Sequence, residues 1–351
     1  MRYMMRYILL VAALAAAAFG YTLYWHKLAD HLTHATGEWI TQRRAEGYVI
    51  ATTGYKVSGF PDQLVLTIDQ PTIAKPADPH AWSMSAARVT LYAQPWNFHH
   101  VIVDFGHSQT FAWKDGGIAH KAALNEGDAK TSLFFSSAGA ITALDLALSD
   151  ATLTADRLAG PLQAKRFELH ERKNHGETKA RPKGSIDLAF GGTDILLPPD
   201  PNLTLGRQLA DVVVQVTLPP PLPQSLKTMA AWRDDGGTVE LDRLKLDWGP
   251  LDVQGSGTLA LDREMRPLAA LTADIRGFGP ALDAIAAAGR IKPGNVALAK
   301  AVLNALATTD KQGDRSIRVP VTAQNGKLFV GPVKLLTLAP LPLLSGQSPA
   351  G

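Results

Sequence analysis

The sequence lacks cysteine and is poor in aromatic and charged residues. Its 351 residues include no cysteine, and 7% are aromatic and 19% are charged. Without cysteine the chain forms no disulfide, thiolate metal site or cysteine nucleophile, which argues against a disulfide-stabilised ectodomain and fits a bacterial periplasm. The formal net charge of +3 is small for this length, so we expect no nucleic-acid partner.

Short motifs that identify common enzyme classes are also missing. The sequence contains no Gly-x-Ser-x-Gly elbow, no Gly-x4-Gly-Lys-Ser/Thr phosphate loop and no His-Glu-x2-His zinc helix. His31 and His34 share a helix face at a spacing of three, but a zinc site needs more ligands than this pair supplies. We therefore predict no catalytic residue, no metal site and no cofactor, and we expect a protein that is not an enzyme.

One long hydrophobic run is present, close to the N-terminus. Arg2 and Arg6 precede an uncharged segment of 19 residues from Tyr7 to Trp25. Such a segment extends roughly 28 Å as a helix, close to the roughly 30 Å hydrocarbon core of a bilayer. The run predicts a single-pass anchor in a bacterial inner membrane. A short N-terminus without early acidic residues favours an orientation that leaves the bulk of the chain in the periplasm.

A cleaved secretory signal is the alternative for this segment. The residues Ala16–Ala18 fit a small-residue cleavage site behind an apolar region. The apolar run continues beyond them through several aromatic residues, which suit a membrane interface and favour retention of the segment. Apolar residues at helical spacing then continue to Trp39, so we predict a juxtamembrane stalk helix that ends near Gly47.

Beyond the stalk the hydrophobic pattern has a period of two, which is typical of antiparallel strands. In the C-terminal part, Gly279-Pro280 and Pro293-Gly294 predict the starts of two helices, and Asn325-Gly326 predicts a tight hairpin. Proline clusters on both sides of residue 205 indicate a domain boundary. We predict a mainly β (β-rich α+β) fold with curved antiparallel sheets. Its predicted parts are a transmembrane anchor and stalk (1–47), a β-rich subdomain (48–204), a β-rich subdomain with a helical hairpin (205–342) and a disordered tail (343–351).

Two groups of residues in the chain carry a family resemblance. The first group is Trp39-x3-Arg43-x3-Gly47-Tyr48 followed by Val57-Ser58-Gly59-Phe60-Pro61. The second is Asn325 to Pro332 followed by Leu338-Ala339-Pro340-Leu341. Together they resemble the domain-of-unknown-function 2125 family of bacterial membrane-anchored proteins. The second group, with Gly255 to Leu259, also resembles the end of AsmA-type envelope proteins. That resemblance implies strands curved around an apolar groove for lipid transport or envelope maintenance, and it transfers no catalytic residue.

The apolar strand faces have two interpretations, which the sequence alone leaves open. They form ordinary core, or they line a groove for acyl chains. The groove candidates are Leu64, Leu66, Ile68, Val253, Leu259 and Leu261. The first hypothesis is binding of phospholipid or another hydrophobic ligand, and the alternative is a tethered scaffold that binds another envelope protein. We interpret the basic segment from Lys165 to Lys183 as a solvated loop, with lipid-headgroup contact as the alternative.

Overall fold

Antiparallel strands make up most of the chain in the computed structural model, as the period-two pattern predicts. The structure describes residues 2–77, 81–115, 117–174, 176, 181–200, 203–220, 222, 229–289, 293–309 and 315–341. The chain divides into two compact units. Unit 1 comprises Met1–Thr142 and Leu153–Arg157, and unit 2 comprises Ala143–Thr152 and Leu158–Gly351.

Unit 1 combines one long helix with two antiparallel ladders. Its elements are α1 (Arg2–Ala45), β1 (Val49–Ala51), β2 (Gly54–Ser58), β3 (Leu64–Asp69), β4 (Thr72–Lys75), β5 (Trp82–Ala86), β6 (Arg88–Gln94), β7 (Asn97–Asp104), β8 (Ser108–Asp115), β9 (Ile118–Asn125), β10 (Asp128–Phe135) and the ends of β11 (Ile141–Ala155). One ladder has the order β2-β3-β6-β7-β10, and the other has the order β1-β4-β5-β8-β9. The chain passes from one ladder to the other at Ala87, between β5 and β6.

The helix α1 has two parts that differ in exposure. Every residue from Tyr3 to Gly20 is exposed, and burial begins at Tyr21 and recurs along the helix to Ile40. Among the described residues, α1 is the one helix long and apolar enough to cross a membrane, with a mean hydropathy of 1.8 over its most apolar window. It ends at Ala45, and Gly47 follows with a φ of 87°, so the predicted end of the helix is confirmed.

Unit 2 is an antiparallel meander with helices near its C-terminal end. Its elements after β11 are β12 (Leu162–Lys173), β13 (Ile186–Leu196), β14 (Gln208–Leu218), α2 (Met229–Asp234), β15 (Val239–Trp248), β16 (Leu251–Leu261), β17 (Pro267–Arg276), α3 (Phe278–Ala287), α4 (Pro293–Leu306), β18 (Thr308–Thr309), β19 (Arg315–Gln324), β20 (Lys327–Val330) and β21 (Val333–Thr337). Strands β12 to β17 pair in chain order, then β17 pairs with β19. The predicted helix pair is confirmed by α3 and α4.

The core of unit 2 lies where α3 and α4 cover the strands. Its buried residues are Ala273, Ile275, Phe278, Leu282, Val296, Ala299, Leu303, Ile317, Val319 and Val330. Helix α3 starts after Gly277, whose φ is 65° and whose missing side chain leaves room for the Pro250 carbonyl. A Cβ atom at Gly277 would lie 1.5 Å from that oxygen, so the approach requires glycine.

The hairpin between β19 and β20 has the predicted turn. Asn325 and Gly326 have φ values of 52° and 66°, and Gln324 pairs with Lys327 across the turn. Two positive φ angles at the central positions define the type I′ turn that Asn-Gly favours. The local sequence therefore sets the register of this hairpin.

The structure divides the chain at a different place from the predicted boundary near residue 205. That position falls inside unit 2, between β13 and β14, which pair from Ile186↔Leu218 to Leu196↔Gln208. As a boundary between independently folding domains, residue 205 stays a prediction. The predicted tail of residues 343–351 lies outside the described residues, as does part of the basic segment, including His175 and residues 177–180.

Candidate functional site

The second part of α1, predicted as a stalk, packs against the sheet of unit 1. Trp25 is 4% exposed and forms a buried cluster with Ala29 and with Leu64 of β3. The indole Nε1 of Trp25 donates to the carbonyl oxygen of Gln63 at 2.9 Å. A buried indole N–H needs such a partner, so this bond fixes the helix against the start of β3.

Two tyrosines on the preceding turn of α1 also form hydrogen bonds to turns that connect the strands of unit 1. The hydroxyl of Tyr24 donates to the carbonyl oxygen of Pro95 at 2.7 Å, and the hydroxyl of Tyr21 donates to the carbonyl oxygen of Pro61. Pro61 follows a cis peptide bond in the Gly59-Phe60-Pro61 turn. Gly59 has a φ of 101°, and a Cβ there would lie 2.8 Å from Val65, so the conformation of this turn requires glycine.

A cavity of about 660 Å³ lies between α1 and the β3-β6-β7 face of unit 1. We call it the first cavity. Its wall on α1 is formed by Leu28, Leu32 and Ala35, and its wall on the sheet is mainly apolar. The sheet residues are Leu64, Leu66, Leu91, Ala93, Phe98 and Val101. This volume lies within the range of about 300–1,000 Å³ that is typical of ligand pockets.

The lining of the first cavity also contains a small polar group. His31 of α1, His99 of β7 and the serines 136 and 137 after β10 contribute to it. Nδ1 of His99 lies 3.2 Å from the carbonyl oxygen of Phe135, and the hydroxyl of Ser136 accepts a bond from the backbone N–H of Ala140 at 3.2 Å. The cavity thus combines a large apolar lining with a few hydrogen-bonding side chains.

A second, smaller cavity of about 280 Å³ lies further along α1. Trp39 and Ile40 of the helix and Ile50, Ile68 and Met84 of the strands are among its lining residues. Ile40 and Ile50 are buried, whereas Trp39 is about half exposed. The face of the sheet beneath α1 is therefore incompletely filled at two places along the helix.

The groove candidates from the sequence fall in different environments. Leu64 is 1% exposed and Leu66 is 5% exposed, and both line the first cavity. Ile68 lines the second cavity. These three residues alternate along β3 and share one face of the sheet.

The other three candidates belong to unit 2. Val253 packs against the buried core cluster beneath α3 and α4. Leu259 is half-buried on β16, opposite Ala269. Leu261 is also half-buried, and it lies beside a polar depression that Arg233 and Asp262 line. The structure does not place these three in either cavity of unit 1.

Sequence reasoning did not identify the helix residues that line the first cavity as part of a site. Leu28, Leu32 and Ala35 follow helical spacing, which predicts an amphipathic helix but not the surface that it covers. Their partners on the sheet come from strands far along the chain, such as Val101 of β7. The apolar stripe on α1 was the signal that could have identified them, because such a stripe packs against a partner surface.

Unit 1 also contains a buried carboxylate away from these cavities. Burial raises the pKa of Glu126, and a hydrogen bond from the Gln109 amide to its Oε1 (2.6 Å) partly opposes that rise. Oε2 of Glu126 is buried without a hydrogen-bond partner. Within the described part of the chain, no group of three or more histidine, aspartate or glutamate side chains is arranged to hold a metal ion.

Comparison with known proteins gives a family. The family described as "Uncharacterized protein conserved in bacteria (DUF2125)" matches residues 25–339. The matched region begins at Trp25, the first buried residue of α1, and includes both units. No curated protein and no solved structure matches the chain. Since the family match extends over most of the sequence, the chain belongs to the DUF2125 family of bacterial proteins.

Proposed function

We propose that this protein binds a lipid or another hydrophobic molecule in the first cavity, beneath α1. The observation that carries the proposal is a mainly apolar cavity of about 660 Å³ between a helix and a sheet face. Each methylene that enters such a lining contributes about 0.8 kcal/mol. An acyl chain can therefore bind there without a charged anchor.

The polar side chains in the lining favour an amphiphile over a plain hydrocarbon. His31, His99 and Ser136 offer hydrogen-bond donors and acceptors beside the apolar wall. Sites of this kind orient a ligand by a few polar contacts, while apolar contacts supply most of the affinity. A phospholipid or a fatty acid has both chemistries.

The proposed location is the inner membrane of a bacterium, with α1 as a retained single-pass anchor and both units in the periplasm. The exposed, apolar first part of α1 supports an anchor. Retention of this segment predicts an intact mass that includes the first eighteen residues. A mass that corresponds to cleavage after Ala18 would instead show a secreted protein, although Trp25 and the packed part of α1 would survive that cleavage.

Cavity-filling variants test the binding proposal. Ala35→Trp places a bulky ring in the first cavity from the helix side, and Ala93→Trp does so from the sheet side. Ala45→Trp is the matched control, because Ala45 is exposed near the end of the same helix. The full-length proteins, in lipid nanodiscs, are titrated with a fluorescent fatty acid. Both cavity variants are expected to weaken binding at least about tenfold, which corresponds to about 1.4 kcal/mol, and the control to leave it unchanged.

Equal binding by all four proteins would contradict the proposal. A shorter chain that begins at residue 48 is unsuitable for this test, because it lacks the helix residues Leu28, Leu32 and Ala35 that form one wall.

We further infer a role in binding rather than catalysis. The support is the chemistry of the cavity lining, in which apolar side chains predominate. Mass spectrometry of the fluorescent ligand after incubation tests this inference. An unaltered ligand is expected, whereas conversion to a cleaved product that requires His99 would show an enzyme. A body that binds no hydrophobic ligand but crosslinks reproducibly to one envelope protein would favour the scaffold function.

A further inference from the structure

The helix α1 changes from full exposure to packing at one level. Every residue from Tyr3 to Gly20 is exposed, and Tyr21 is the first that is half-buried. The proposed membrane span from Tyr7 to Trp25 extends about 28 Å at about 1.5 Å per residue, close to the hydrocarbon thickness of about 30 Å. The packed part of α1 therefore begins within the last turn of that span.

Two turns of unit 1 contact α1 at this same level. In the β2–β3 turn, the carbonyl oxygen of Pro61 accepts a hydrogen bond from the hydroxyl of Tyr21. In the β6–β7 turn, the carbonyl oxygen of Pro95 accepts one from the hydroxyl of Tyr24. Trp25 bonds to the first turn as well, through Gln63. These bonds hold the tips of both turns beside the end of the proposed span.

Each turn exposes a large aromatic side chain at its tip. Phe60 is 48% exposed, and Trp96 is 62% exposed. The ring of Phe60 lies 6.4 Å from that of Tyr21 and 5.5 Å from that of Trp25, measured between centroids. Tryptophan and tyrosine concentrate at membrane–water interfaces, where one part of the side chain is apolar and another part is hydrated. Phenylalanine enters the same boundary as an apolar side chain. Exposure of these rings costs free energy in water but not in the headgroup layer of a bilayer.

We propose that Phe60 and Trp96 insert into the headgroup layer and hold the first cavity next to the membrane surface. The purpose of the insertion rests on the proposed function of that cavity, but insertion is measured independently of lipid binding. The first lining residue on the helix is Leu28, about 10 Å beyond Tyr21 along the axis, and the headgroup layer extends about 5–8 Å from the hydrocarbon. Phe98, two residues after Trp96, also lines the cavity. An acyl chain that leaves the bilayer at these turns thus meets the cavity within a few ångströms.

Two residues of opposite charge lie close in sequence to these contacts. Asp62 is exposed in the β2–β3 turn, and Lys27 is exposed on α1 two residues after Trp25. Apolar insertion rather than attraction to anionic lipid therefore dominates the expected contact. We expect insertion to be the same in vesicles of neutral and of anionic lipid, and to change little with salt.

Single-cysteine labelling measures the insertion, because the natural chain has no cysteine. Phe60→Cys and Trp96→Cys carry an environment-sensitive fluorophore in the full-length protein, reconstituted in nanodiscs of phosphatidylcholine with and without nitroxide-labelled lipid. Ile118→Cys is the matched control, because Ile118 is 64% exposed at the start of β9.

The control lies far from the proposed membrane surface along α1. The ring of Tyr48, just after the end of α1, lies 6.3 Å from the ring of Trp82, measured between centroids. Trp82 of β5 pairs with Trp113 of β8, near the β8–β9 turn that precedes Ile118. The end of α1 is about 36 Å from Tyr21, at about 1.5 Å per residue. Nitroxide lipid should therefore not reach a probe at position 118.

The expected result is that nitroxide lipid reduces the fluorescence at positions 60 and 96 by about half or more, as for a probe in the interfacial layer, and leaves position 118 unchanged. Equal, weak quenching at all three positions would overturn the proposal. Trp96→Cys is the decisive variant if Phe60→Cys misfolds, since Trp96 is the more exposed of the two.

Lipid extracted from the same preparations separates this proposal from the proposed function. Quenching at both turns with an empty cavity would support insertion and contradict lipid binding. A filled cavity without quenching would support lipid binding and overturn insertion. In addition, Phe60→Ser with Trp96→Ser is expected to slow the loading of a fluorescent lipid several-fold, with its final occupancy unchanged. Unaltered loading would overturn the role of the two turns in capture.

Discussion

Units 1 and 2 both place helices on an antiparallel sheet, but they fill the space between helix and sheet differently. In unit 2, α3 and α4 cover a continuous core in which Leu282, Ala299, Leu303 and Ile317 are almost fully buried. In unit 1, the cluster beneath α1 has three buried members, and two cavities lie along the same helix. A helix on a sheet therefore covers a closed core in unit 2 and leaves cavities in unit 1.

The side chains that the helices present to the sheets also differ between the units. Helices α3 and α4 are rich in alanine, and small residues such as Ala281 and Ala299 let a helix lie close to the strands. Helix α1 is held at one end by the bulky Trp25 and by two tyrosine hydroxyls. Beyond Trp25, the half-buried Leu28 and Leu32 pack against the cluster of Trp25, Ala29 and Leu64 and also line the first cavity.

The largest expected effect compares two leucine-to-alanine variants. Leu303→Ala removes a buried side chain from the core of unit 2 and is expected to destabilise that unit by about 3 kcal/mol. Leu32→Ala changes a side chain that already borders a cavity, so it is expected to destabilise unit 1 by only about 1 kcal/mol. Hydrogen exchange of α4 and of the packed part of α1 measures the two losses separately. Equal losses would contradict the contrast between a closed core and a cavity.

The next effect tests the attachment of α1. Trp25→Phe removes the hydrogen bond to Gln63 and part of a buried ring, so it is expected to reduce the stability of the helix on the sheet by about 2 kcal/mol. Trp39→Phe is the control on the same helix, because Trp39 is about half exposed. We expect faster hydrogen exchange in residues 25–40 for the first variant only. Similar exchange in both variants would show that Trp25 does not fix the helix.

The smallest effect distinguishes the two units by pH. In unit 1, burial raises the pKa of Glu126 above its ordinary 4.5. Ionised Glu126 therefore destabilises the fold increasingly as pH rises through its native pKa. Glu126→Gln is expected to stabilise unit 1 by about 1 kcal/mol at pH 7, and the gain should disappear below pH 4.5. Urea unfolding between pH 4 and 7 measures this gain.

In unit 2 the sign is opposite. Burial of Asp145 acts to raise its pKa, but hydrogen bonds from Arg172 and His170 outweigh it and lower the pKa below the ordinary 3.8. Its stabilising effect is present above pH 3.8 and is lost as pH falls through the native pKa. Asp145→Asn should thus destabilise unit 2 at pH 7 by about 0.5–1 kcal/mol and have less effect in acid. The same pH dependence for both variants would contradict this difference.

Local sequence patterns predict most of the individual elements. The alternation of Leu64, Leu66 and Ile68 predicts β3, Pro293 marks the start of α4, and Asn325-Gly326 sets the turn between β19 and β20. Each of these signals acts within a few residues, since strand period, helix start and turn type are local properties. The end of α1 near Gly47 is predicted for the same reason.

The candidate site depends on contacts between distant segments, which local patterns do not specify. The apolar spacing of Leu28 and Leu32 predicts a helix with one apolar face, but nothing local assigns that face to Leu91 or Val101. Leu64 on β3 and Val253 on β16 both belong to runs in which apolar and other residues alternate. Leu64 nevertheless borders a cavity, whereas Val253 packs against a core. The packing of the covering helix distinguishes core from cavity, and that packing is a tertiary property.

The most direct test of the central claim is native mass spectrometry of the full-length protein, released from bacterial membranes in nanodiscs and then ejected from them. We expect one bound lipid in the natural protein and in Ala45→Trp, and loss of that lipid in Ala35→Trp, where the ring occupies the first cavity. No bound lipid in the natural protein, or equal lipid in Ala35→Trp and Ala45→Trp, would contradict the claim that the cavity beneath α1 is a lipid site.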